Sequence, residues 1–143
     1  MREMRDNTMG MGNYAQYADT VKPEFVQKTA PKEYEAFMAF LDEIDLSLED
    51  FANNYQYEEF DGVSKENSKR AVELYAELCA AFDYITKKDG HTLNLSLVYH
   101  DPDDTDRGNE LYGAAWTVEP YILSPAGELY KDEIQRLFWT TFG

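Results

Sequence analysis

The stretch FDYITKKDGHTLNLSLVYH, residues 82 to 100, decides the fold, because the spacing of its apolar residues changes partway along it. Up to Lys87 they recur every three to four positions. Ala71, Tyr75, Leu78, Phe82 and Ile85 form one stripe of a helix over KENSKRAVELYAELCAAFDYITKK. Beyond Gly90 the interval falls to two: Leu93, Leu95, Leu97 and Tyr99 alternate with Asn94, Ser96 and His100, the pattern of a strand with one buried face. Ser64 suits the helix N-cap, Lys87 and Lys88 suit its negative end, and Gly90 supplies a left-handed stop. A chain that passes from an amphipathic helix to an amphipathic strand in so few residues belongs to the α+β class.

Working outward, Tyr112, Ala114, Trp116 and Val118 form a second alternating set, which predicts an antiparallel hairpin near residues 92–123 with an acidic tip, DPDDTDRGNE. YIL after Pro120 extends it or begins a third strand. Upstream, Tyr34, Phe37, Met38, Leu41 and Ile44 lie on one side of a helix over PKEYEAFMAFLDEI. In SLEDFANNY, Ser47 is the cap of a shorter one. NYAQYADTV reads as a first helical piece with Tyr14, Tyr17 and Val21 on one face, interrupted by Pro23, and PEFVQK as a short turn. SPAGELYKDEIQRLFWTTFG reads as a C-terminal helix capped by Ser124, with Pro125 first and Leu129, Tyr130, Ile134, Leu137 and Phe138 inward. The expectation is four to five helices on one face of a small two- to three-stranded antiparallel sheet, as one domain over residues 13–143 after a disordered tail over residues 1–12.

The 143 residues are enough for one core without disulfide or metal staples. Aromatic residues make up 15% of the chain, far more than disordered sequences carry. Cys79 is the single cysteine, so neither an intramolecular disulfide nor a cysteine zinc motif can be written, and a reducing, cytoplasmic location is expected. No apolar run approaches the roughly 18 residues of a membrane span, and no secretion signal opens the chain.

Charge is the dominant property. Asp and Glu number 28 against 13 Lys and Arg, a formal net charge of -15, beyond the magnitude of about 2 to 8 that keeps a small domain soluble. The excess is uneven: residues 14–60 hold 11 acids and three bases and residues 101–143 nine and three, whereas residues 61–100 hold six and five. Such a surface repels nucleic acid and attracts cationic grooves.

Motifs for chemistry are few. The acidic tip fails as an EF-hand, since counting from Asp101, Asp103 or Asp104 never places glycine at the sixth position and glutamate at the twelfth together. A looser divalent-cation site using Asp101, Asp103, Asp104 and Asp106, with His100 beside it, is the alternative reading of that loop, either as a metal-binding module or as a metal-assisted hydrolase. GMGNYA matches a dinucleotide fingerprint in letters, yet no strand precedes it. His91 follows the helix-ending glycine and His100 ends a strand at its wet edge. Cys79 sits among apolar helix residues, the setting of an inert thiol. No cofactor is implied.

The expected function is therefore that of a non-enzymatic, acidic interaction protein, whose carboxylates stand in for backbone phosphates in a basic, nucleic-acid-binding partner. In composition and charge it resembles the small DNA-mimic inhibitors that phages and mobile elements direct against restriction or CRISPR nucleases. The candidate partner-binding residues are Glu35, Asp42, Glu43, Asp45, Glu49, Asp50, Glu58, Glu59, Asp101, Asp103, Asp104, Asp106 and Glu110. Direct contact with nucleic acid or membrane is not expected. A homodimer is compatible with 21 aromatic residues, more than one small core absorbs. The remaining alternative is an acidic structural or assembly domain without catalytic activity.

Overall fold

A computed structural model describes the backbone of residues 13–100 and 113–142, together with the side chains of these residues other than 13–17 and 137–142. The order is strand β1 (Asn13–Val21), helices α1 (Pro23–Thr29), α2 (Pro31–Glu43), α3 (Leu48–Asn54) and α4 (Lys65–Ile85), strands β2 (Ser96–His100) and β3 (Gly113–Val118), helix α5 (Pro125–Leu129) and strand β4 (Ile134–Phe142). Single 3-10 turns follow α3 (Tyr55–Tyr57) and α5 (Lys131–Glu133). The sheet is antiparallel in the order β2-β3-β1-β4. The class is α+β, with five α-helices among the described residues. None of them is long and apolar enough to cross a membrane.

The local signals read upstream hold. Ser47, Ser64 and Ser124 each accept a hydrogen bond from the backbone N–H three residues on, capping α3, α4 and α5. The end of α2 is a Schellman motif, in which Leu46 N–H donates to the Leu41 carbonyl and Asp45 N–H to that of Asp42. Asp45 occupies its left-handed position at φ 56°, where glycine is the unstrained residue. Asp89 and Gly90 both take positive φ between the reciprocally bonded Lys88 and His91, as a two-residue type I′ turn requires. Gly90 thus reverses the chain after α4 rather than ending the helix, which already stops at Ile85.

Two expectations are corrected. Asn13–Val21 is a strand, not a helix, and the C-terminal segment is a five-residue helix followed by a nine-residue strand, so the sheet has four strands instead of two or three. The reason is long-range pairing. β1 lies between β3 and β4, matched to β4 from Asn13↔Phe142 to Val21↔Ile134, partners that no sequence window contains together. Tyr, Thr, Val, Phe and Trp favour strands once such a partner exists. Leu129, expected inward, is 57% exposed, and Ile85 lies half outside the stripe it was assigned to.

The helices cover one sheet face. Leu97, Trp116, Val118 and Val21 point into them, while Ser96, Val98 and Thr117 point away. At the centre, Phe37 of α2 is fully buried between Phe51 at 5.0 Å, Tyr75 at 5.9 Å and Trp116 at 6.4 Å between ring centroids. The edge of β2 is held by α4, because the Leu97 N–H donates to the Tyr75 hydroxyl and the Leu95 N–H to the Asp83 carboxylate.

Burial raises the Asp83 pKa, opposed by the Leu95 N–H that bonds its charged form. A carboxyl raised in the folded state opposes folding when ionised. Its contribution therefore improves as pH falls through the folded value and worsens again on return to neutrality. Asp83→Asn keeps an acceptor for Leu95 and is expected to be near neutral at pH 7, with that acid-side gain abolished. Asp83→Ala strands a buried N–H and should cost about 1–3 kcal/mol in urea unfolding.

Candidate interaction surface

Between Lys32 and Lys65 the chain carries ten acidic residues and no basic one. The structure places this stretch on α2, α3 and the turns after each. Glu35, Asp42, Glu43, Asp45, Glu49, Asp50, Glu58 and Glu59 are all exposed. Five of them crowd the α2–α3 junction. Asp42 and Glu43 occupy the last turn of α2, Asp45 the left-handed position just past its cap Ile44, and Glu49 and Asp50 the first turn of α3. Glu49 and Asp50 suit a positive helix N-terminus, but Asp42 and Glu43 face the negative end of α2, which has no basic residue in its last turn. Stability alone does not favour carboxylates there.

Neutralisation within the chain occurs elsewhere. Arg70 lies 3.5 Å from Glu73 and 3.6 Å from Glu77 on α4, Lys131 pairs with Glu128 at 3.0 Å, and Arg136 pairs with Asp19. None of the eight acids above forms an ion pair with a described residue; Glu35 accepts only the Gln27 amide, at 3.3 Å. Glu58 takes a left-handed conformation at φ 56° at the end of the 3-10 turn.

The remaining candidates, Asp101, Asp103, Asp104, Asp106 and Glu110, lie outside the described residues, as does the loose cation site drawn on four of them. The residues that bracket this loop are placed, however. His100 pairs with Gly113 across the hairpin, and α3 packs on β2 and β3. A Cβ added to Gly113 would come within 2.7 Å of the Glu49 carboxylate. Gly113, the first described residue after that loop, thus lies beside the acidic start of α3.

The four strands hold a single acidic residue, Asp19, and it is consumed by Arg136, whose Nε and Nη2 donate to its two carboxylate oxygens at 2.5 and 2.6 Å. No other strand residue is acidic, and over the outer sheet face lies a cleft of about 830 Å³ whose described lining includes Asp19 and Glu119. Its floor is Ala18, Ser96, Val98, His100 and Thr117. One wall is the turn through Gly90 and His91 to Asn94, and the other the connection from Glu119 to Ser124. Sequence reading had taken His91 and His100 separately. Their meeting in one cleft depends on the turn at Asp89–Gly90, and the signal available was that His100 shares the parity of Asn94 and Ser96.

Among the described residues, no group of three or more His, Cys, Asp or Glu side chains is placed to hold a metal ion. Burial, only partly offset by the Tyr75 hydroxyl, pushes the Cys79 thiol up to about 11, so it is protonated and unreactive at neutral pH.

No family model, curated protein or solved structure matches this chain.

Proposed function

We propose that this chain is an acidic protein–protein interaction module that seats the α2–α3 carboxylates in a cationic, nucleic-acid-binding groove of another protein and so excludes nucleic acid from it. The observation that supports this most is the run between Lys32 and Lys65, with ten acids, no base, and all eight candidate carboxylates exposed without an ion pair to a described residue. A groove that has evolved to neutralise phosphates reads charge and spacing first, so helix-borne carboxylates meet its requirement. Steering by a net charge of -15 would speed encounter and weaken with salt.

The test is affinity capture by the immobilised protein, followed by binding measurements on the captured species. The expected outcome is a basic, nucleic-acid-binding protein whose affinity falls linearly with log salt and which duplex DNA displaces. Asp42→Lys/Glu43→Lys/Asp45→Lys should reduce that affinity by at least about a hundredfold, whereas Glu73→Lys/Glu77→Lys should leave it largely intact. Asp45→Gly separates affinity from folding. Relief of the left-handed strain should raise stability by about 0.5–1 kcal/mol, while loss of the carboxylate weakens binding. Binding indifferent both to DNA and to the triple charge reversal would remove the proposal.

A further inference from the structure

The cleft over the outer sheet face lies apart from the acidic surface and answers to a different chemistry. Its size falls within the range of about 300–1,000 Å³ typical of small-ligand sites. Both walls are fixed. The Asp89–Gly90 turn closes through reciprocal bonds of Lys88 and His91, and the Thr92 hydroxyl donates to the Asp83 carbonyl at 2.7 Å. Opposite, Ser124 N–H donates to the Tyr121 carbonyl, and α5 abuts this turn so closely that a Cβ on Gly127 would meet the Tyr121 carbonyl oxygen at 2.5 Å. A bond from Glu119 N–H to the Leu93 carbonyl ties one wall to the other. The site is thus preorganised, which reduces the entropy lost on binding.

Its lining narrows the ligand. Among the described residues no lysine or arginine lines it, Asp19 and Glu119 do, and the molecule carries -15, so phosphates and carboxylates are repelled. His91, Asn94 and the Ser96–Thr117 hydroxyl pair present donors and acceptors side by side, with the His100 ring at the floor below them. On the rim, Tyr121 is 77% exposed and is followed by Ile122 at 44% and Leu123 at 92%, apolar surface that no packing within the described residues accounts for. An uncharged ring with hydroxyls on its edge and C–H groups on its face satisfies both features.

We propose that this cleft is a binding site for a neutral saccharide of one to three residues, with the sugar face on the Tyr121 ring and its hydroxyls toward His91 and Asn94. His91 and His100 are the only histidines, so their imidazole resonances report the site directly, and His91→Gln assigns them. Maltotriose, cellotriose, chitotriose, mannotriose and galactobiose would be titrated to about 10 mM, which detects millimolar affinity. The expected result is saturable shifts of both imidazoles with at least one of these probes, and an affinity lowered about three- to tenfold by Tyr121→Ala with the melting temperature unchanged. Shifts with none of the five probes would overturn the assignment. So would shifts produced by adenosine or inorganic phosphate and not by saccharide, or saccharide binding that Tyr121→Ala leaves intact.

Discussion

Arg136→Met is expected to destabilise the protein by about 3–5 kcal/mol, because it leaves the Asp19 carboxylate buried without its guanidinium. Asp19 is 5% exposed and central in the sheet, and the bidentate Arg136 contact ties β1 to β4 across 117 positions of sequence. The cost of a single replacement therefore contains the penalty of an uncompensated charge as well as the lost bonds. The double variant Asp19→Asn/Arg136→Met removes both charges and should recover most of the loss, and Arg136→Lys, lacking the planar fork, should fall between. Urea unfolding followed by far-ultraviolet circular dichroism measures all three. A loss below about 1 kcal/mol for Arg136→Met would mean that the pair behaves as a solvated surface contact.

Phe37→Ala is expected to cost about 3–5 kcal/mol, the usual range for deleting a fully buried ring. Phe37 is where the helices and sheet meet: its ring contacts Phe51 of α3, Tyr75 of α4 and Trp116 of β3. These neighbours cannot all collapse into the space, because Tyr75 is also held through its hydroxyl to Leu97 N–H. Phe37→Leu, which keeps much of the volume, should cost markedly less. Equal losses for the two variants would show that ring volume does not set the effect at this position.

The two variants separate what was legible in the sequence from what was not. Phe37 was placed inward by helical spacing alone, and so were Leu41, Phe51, Leu78 and Phe82, all of them buried. Their helices announce themselves through serine caps and a period of about 3.6 residues, both local properties. Asp19 was misread along with the whole of β1, and Arg136 with β4. The aromatic and β-branched residues of both segments were visible, but their spacing admitted a helix. A strand becomes the better solution only when a partner supplies its backbone bonds, and the partner of residue 19 is residue 136.

The acidic surface divides in the same way. Composition identified the carboxylates, their excess over bases and the absence of a recognisable catalytic motif, and the exposure of the five described candidates on α2 and α3 follows from helix polarity. That Glu49 lies against Gly113 required the packing of α3 on β2 and β3. The gathering of His91, His100 and Tyr121 around one cleft required the fold as well.

By itself, the sequence determined the α+β class, the helices with their caps, the central core residues and the strongly negative charge, because each rests on interactions among residues a few positions apart or on composition alone. Only the tertiary structure decided that the first and last described segments are paired strands, that Asp19 is buried against Arg136, and that a cleft lies over the sheet's outer face. Those features depend on hydrogen bonds and contacts between residues about a hundred positions apart, whose closure no local pattern encodes.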